Sequence, residues 1–332
     1  MELSSVTALI PVANICLLMK NLMVFKYNFT LILIVLFSNI IYAFVAVWFL
    51  SRIYDSESIL FGESFSGIKL FERRKNIEKG SLPTIQESIL ILIVALLLMV
   101  YAGGMMSLSY PLAGVIVPQF FIGVLPILAA LYIKADLRQV FAIHKPGARN
   151  LIGAVILVIG AASVSLLLSN VLSYFFPENS ESLNESYLNM LDGVPFVAAL
   201  LLIALTPAVC EELLFRGYMF TAFRRKMSLS KAIVCVSVLF AISHMSLIKI
   251  LPTAILGVAL AYAVYVSNSI FTSSLMHFLN NGFSVFLLYY GDNIPLLQDE
   301  QAGLPLVVCM VILAVVCIPL GVRLLHRSES VQ

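Results

Sequence analysis

Apolar residues run along nearly the whole chain in blocks of about twenty, separated by short polar turns. Blocks at 29–51, 88–108, 112–133, 151–175, 194–221, 230–246, 250–267, 270–290 and 304–325 are read as spanning helices. At 1.5 Å of rise per residue, about twenty residues cross the ~30 Å of hydrocarbon in a bilayer. The pattern therefore predicts an all-α polytopic membrane bundle of about nine transmembrane helices. Residues 6–24 add a further apolar stretch, broken by Pro11 and carrying Lys20, which reads as an N-terminal re-entrant or interfacial helix. The longest polar stretch, 52–87, mixes both signs of charge and reads as a surface helix plus linker that ends at Pro83.

Composition agrees with this pattern. Hydrophobic residues make up 61% of the 332 positions and charged residues 11%, with mean hydropathy +1.02, where a soluble domain carries roughly 25% charged residues. A net charge of +2 offers no basic face for nucleic acid. No Gly-rich phosphate loop is present, so ATP hydrolysis by the chain itself is not expected. Cys16, Cys210, Cys235, Cys309 and Cys317 all fall in apolar segments without CxxC spacing and read as small hydrophobes rather than a disulfide or zinc framework. The N-terminus has Glu2 and no basic residue before its apolar stretch, so it is expected to be retained rather than removed as a signal peptide.

Charge in the turns sets an orientation. Lys and Arg collect in 52–87, in 134–149, in 222–231 and at Arg323 and Arg327, all on one side of a nine-span arrangement. That side is expected to be cytoplasmic, with the C-terminus on it, in what is expected to be the plasma membrane. The opposite loops, 176–193 and 291–303, carry seven acids and no Lys or Arg. Lys249 is the main exception on that side, with Lys20 and Lys26 before the first span.

Few ionisable residues remain inside the spans. Glu211, Glu212 and Arg216 share one segment, His244 lies near the end of the next, and His277 lies two segments further on with Asn281. A charge at mid-bilayer costs roughly 2.5–3.5 kcal/mol on insertion scales, so adjacent glutamates there point to function. Glu212 and Arg216 are four apart on one helical face, as are His277 and Asn281. Measured from the basic turns, Glu211 and His244 lie roughly 20 Å deep and His277 roughly 13 Å, a difference that helix tilt absorbs. Taken singly, each has a plainer reading: Glu212–Arg216 as a structural ion pair, either histidine as a helix–helix hydrogen bond, Asn281 as interhelical glue. Their coincidence in depth favours a site.

Three motifs then carry a resemblance. Pro207-Ala-Val-Cys-Glu-Glu-Leu-Leu-Phe-Arg-Gly217 resembles the Glu-Glu-x-x-x-Arg motif of the CAAX-protease and bacteriocin-processing family of intramembrane glutamic endopeptidases. Phe240-Ala-Ile-Ser-His244 resembles its Phe-x-x-x-His motif, and His277-Phe-Leu-Asn-Asn281 its His-x-x-x-Asn motif. The tight match covers 207–281, and the family's bundle extends over 88–326, with 76–87 as a cytoplasmic linker and 327–332 as a cytoplasmic tail. The resemblance implies that Glu211 and His244 activate a water and that His277 and Asn281 donate to the oxyanion. It also implies that Glu212 and Arg216 support the site and that Phe240 shapes its pocket. The implied substrate is a membrane-associated peptide or protein, prenylated in the eukaryotic members, cut near its C-terminus. Residues 1–75 bear a second resemblance, through 10–20, the span at 29–51 and Ser58-Ile-Leu-Phe-Gly-Glu63, to the last segments of a sodium-exporter-type ABC permease. Such permeases occur fused ahead of this protease type, which would make these residues a remnant and a separate ABC ATPase a candidate partner.

Two further function classes compete: a non-catalytic bacteriocin-immunity or scaffold protein, and an ABC-permease-associated subunit. Within the enzyme reading, Glu211, His244 and His277 would also serve as three zinc ligands with an open fourth position. A metal-free site is favoured, because His277 shares a face with Asn281 and no His-Glu-x-x-His motif is present.

Overall fold

Most of the apolar blocks form helices close to where the pattern places them, in a computed structural model that describes residues 3, 7–9, 11, 13–54, 74–103, 106, 110–294 and 303–325. The described residues contain no strand, and the protein is an all-α membrane bundle. The Ser58–Glu63 segment and the 327–332 tail lie outside the described residues. The chain divides into two units, Met1–Lys69 and Leu70–Gln332.

In the first unit a 3₁₀ turn, Thr7–Leu9, precedes α1 (Ala13–Met23) and α2 (Phe29–Tyr54). The eleven residues of α1 rise only about 17 Å, too little to cross a bilayer. Its one buried residue, Asn14, donates to the carbonyl of Ala8 and to Ser38 Oγ, both at 3.1 Å. A polar tie of this kind holds helices together where lipid supplies no hydrophobic drive.

The second unit begins at α3 (Ile85–Leu98), which runs on as a π turn, Met99–Gly103. Thr84 and Glu87 close a capping box at its start, just after Pro83. There follow α4 (Pro111–Tyr132), the short α5 (Leu137–Val140), α6 (Ala148–Phe175) and α7 (Pro177–Leu191). The sequence pattern reads 176–193 as a loop; it is instead a polar helix, because fifteen residues without an internal Gly or Pro can wind as α7 while staying wet.

Next come α8 (Phe196–Arg224, counted as one continuous rod), α9 (Leu229–Ile242), α10 (Leu247–Ser267), α11 (Ile270–Tyr290) and α12 (Gly303–Leu324). Among the described residues, six helices are long and apolar enough to cross a membrane: α3 with its π turn, α4, α6, α8, α10 and α12. α9 has fourteen residues and covers only about 21 Å. It stops where the chain turns through 243–246, with Met245 at φ 47°. α11 is long enough but carries His277, Asn280 and Asn281. Large apolar side chains stay bare on the outer faces, Tyr174 at 83% and Val315 at 67% exposure, as expected where lipid is the solvent.

Small residues set the helix spacing. α12 lies along α6 so closely that a Cβ on Gly321 would stand 2.6 Å from the backbone nitrogen of Leu157. Across α4 and α8, a Cβ on Gly123 would meet Cys210 Sγ at 2.9 Å. This second approach brings α4 against the residue that precedes Glu211.

Candidate active site

α8 is not a plain α-helix. Two π stretches, Leu200–Leu205 and Leu213–Met219, flank the α-helical Thr206–Glu212. Pro207 accounts for part of this. It has no N–H to offer the carbonyl four residues back, which is that of Ile203. That carbonyl is taken up from another helix: Asn281 Nδ2 on α11 donates to it at 3.2 Å. Asn280 Nδ2 in turn donates to Asn281 Oδ1 at 3.2 Å. Asn281 is thus oriented from both ends and keeps one N–H in hand.

The two glutamates point to different partners. Glu212 is fully buried, and its Oε1 accepts from Arg216 Nη1 at 3.0 Å and lies 2.9 Å from His277 Nδ1. The pairing four residues apart within one helix is the one the spacing predicts. Arg216 is also buried; its Nη2 reaches the Gly257 carbonyl at 3.4 Å and its guanidinium lies 4.1 Å from the centre of the Phe240 ring. An ion pair this deep needs such extra partners to offset the loss of water.

Glu211 sits one residue earlier and faces a cavity. Its Oε2 stands 3.8 Å from His277 Nε2, and its Oε1 accepts from Gln119 Nε2 at 2.7 Å. His277 therefore lies between both glutamates. With its proton on Nδ1 it donates to Glu212, which fixes the ring and aims Nε2 at the Glu211 side. His244 is held by a 2.8 Å contact from Nδ1 to the Phe240 carbonyl, leaving Nε2 to face away from its own backbone. Phe240 packs edge-on against both imidazoles, with ring centres 4.9 Å from His244 and 5.7 Å from His277.

All of these groups border one cavity of about 660 Å³, lined by Glu211, His244, His277, Asn281, Phe240 and Gln119 among others. Glu212 and Arg216 stand behind it. Gln119 is the member the motifs did not predict. Its signal is present in the sequence, an amide in an otherwise apolar span with Gly123 one turn later, but nothing ties it to Glu211 until α4 is seen against α8. Chemically, the cavity offers a carboxylate to take a proton, two imidazoles held by their Nδ1 atoms, and an amide donor.

The comparisons bear on this same stretch. Residues 193–283 match the family described as type II CAAX prenyl endopeptidase Rce1-like. Over these residues the chain is similar to the Rce1-like family. The Rce1-like segment spans α8 to α11 and contains Glu211, His244, His277 and Asn281, while Gln119 lies outside it. No curated protein and no solved structure matches the chain. Among the described residues no three His, Cys, Asp or Glu side chains are grouped as ligands of one ion. The nitrogen His277 turns toward Glu212 is not available to a metal, which leaves the zinc arrangement only Nε2 of that ring.

Proposed function

We propose that the protein is an intramembrane endopeptidase that cuts a peptide near the C-terminus of a membrane-associated substrate, with a prenylated CAAX-type tail as the candidate class. One observation carries this reading: Glu211, His244, His277 and Asn281, from three separate segments, border a single cavity inside an apolar bundle. The Rce1-like segment supports the same reaction class.

In this mechanism a water lies between Glu211 and His244. Glu211 takes a proton from it as the oxygen attacks the scissile carbonyl carbon. The carbonyl oxygen becomes an oxyanion, which accepts from the spare N–H of Asn281 and, with the His277 ring protonated on both nitrogens, from its Nε2–H. The C–N bond then breaks, the proton passes to the departing amine, and a new carboxylate remains on the other fragment. Preorganised donors to an oxyanion are each worth roughly 2.7–4 kcal/mol. Gln119 holds Glu211 by one oxygen, leaving the other for the proton. Glu212 and Arg216 keep His277 in place without touching substrate.

The test is direct. Glu211→Ala and His244→Ala are each expected to abolish cleavage of a prenylated peptide while the protein stays inserted in the membrane. Full turnover by either variant overturns the assignment and favours a scaffold that retains the residues for assembly.

A further inference from the structure

Among the described residues, the cavity holds one charged group apart from the reaction centre. Lys249, in the first turn of α10, lines it together with Tyr187 of α7. Tyr187, Met190 and Leu191 fall on one helical face, three and four residues apart, and all three border the cavity. Lys249 Nζ stands 2.6 Å from Tyr187 Oη and 4.5 Å from the centre of that ring. Among the described residues no Asp or Glu pairs with Lys249, and it is the only Lys or Arg lining the cavity.

The hydrogen-bond inventory of this pair is one-sided. An ammonium has three N–H groups and no lone pair, so it donates to the phenol oxygen. The phenol O–H must then point elsewhere. What remains is two N–H groups from Lys249 and one O–H from Tyr187: donors only, on a cation without a carboxylate partner. Such a set fits an anion with two adjacent oxygens, and charge-assisted bonds to a carboxylate are the strong ones. Every peptide substrate carries one such group, at its C-terminus. Lys249 follows His244 by five positions across the tight turn at 243–246. A chain end held there leaves only a short run of peptide to reach the water between Glu211 and His244.

We propose that Lys249 and Tyr187 form the seat for the free C-terminal carboxylate of the peptide cut at Glu211, an inference that rests on the endopeptidase reading. The seat selects substrates that end nearby and sets the distance from chain end to cut.

Two probes test it: a short farnesylated, fluorescein-labelled peptide ending in a free carboxylate, and its carboxamide twin. Binding to the full-length protein in detergent is followed by fluorescence anisotropy, and cleavage by chromatography. The acid is expected to bind roughly tenfold or more tighter than the amide, from the worth of hydrogen bonds to a charged group. Lys249→Gln is expected to bring the acid down to the level of the amide, with amide binding unchanged. Lys249→Arg is expected to keep the preference, and Tyr187→Phe to weaken it in part. Equal binding of the two peptides by the wild-type protein, no binding of either, or a preference that survives Lys249→Gln overturns the seat. Cleavage without acid preference rejects the seat and leaves the protease reading standing. Acid preference without cleavage does the reverse.

Discussion

Asn281 Nδ2 lies 3.2 Å from the carbonyl oxygen of Ile203, which stands four residues before Pro207, a residue with no N–H to donate. The proline and the asparagine are thus two halves of one contact between α8 and α11. Pro207→Ala restores a backbone N–H that competes for Ile203. Turnover is expected to fall by about tenfold, the worth of one well-placed hydrogen bond, with KM little changed and the helices still formed. Steady-state kinetics on the purified variant check this, and an unchanged kcat rejects the coupling.

Gln119 is a positioning residue for Glu211 in this reading. Removing it by Gln119→Ala leaves a carboxylate oxygen without its donor, a loss of about 1–3 kcal/mol where the group is buried. The expected result is a drop in kcat of roughly tenfold or more, with partial recovery in Gln119→Asn if the shorter amide still reaches. Gly123→Val acts on the same contact from one turn away by pushing α4 off Cys210. If both variants turn over like wild type, the contact has no part in catalysis.

Arg216→Ala strips Glu212 of its buried cationic partner and leaves it His277 and the Ser273 hydroxyl. Breaking a buried pair by deleting one member costs about 3–5 kcal/mol. Thermal unfolding in detergent is expected at lower temperature, with activity reduced as His277 loses its fixed orientation. A wild-type melting curve and wild-type turnover together contradict the supporting role.

Chelation separates the two chemistries that fit Glu211, His244 and His277. The metal-free reading expects full activity after exhaustive chelation and no stoichiometric zinc in elemental analysis of active enzyme. About one zinc per chain, with activity lost on its removal and regained on its return, establishes the other.

Most of the helices were legible because hydrophobic runs of membrane length have one reading in a bilayer. The boundaries of α4, α6 and α10 fall within a few residues of those the pattern predicts. The pattern was silent where a helix leaves the hydrocarbon or stops inside it. α7 is too polar to read as a span and looked like a loop. α9 runs on in hydropathy through 243–246, whereas its helix ends at Ile242. Within the site, residues that share a helix were readable from spacing alone, as with Glu212 and Arg216. The partnerships that cross between helices were not: Gln119 with Glu211, Glu212 with His277, and Lys249 with Tyr187 depend on how the rods pack. The π stretches of α8 also escape periodicity, since each depends on one extra residue per turn.

The close seam between α6 and α12 also bears on the order in which the bundle is made. α6 leaves the ribosome well ahead of α12, yet the backbone of Leu157 can be covered only once Gly321 arrives. Until then that groove is uncovered, although α8 to α11, which carry the glutamates, imidazoles and amide, have all been made. The protein would therefore assemble its reaction chamber before it finishes its wall. A nascent chain halted after α11 should hold the residues of the site with one flank still open to lipid.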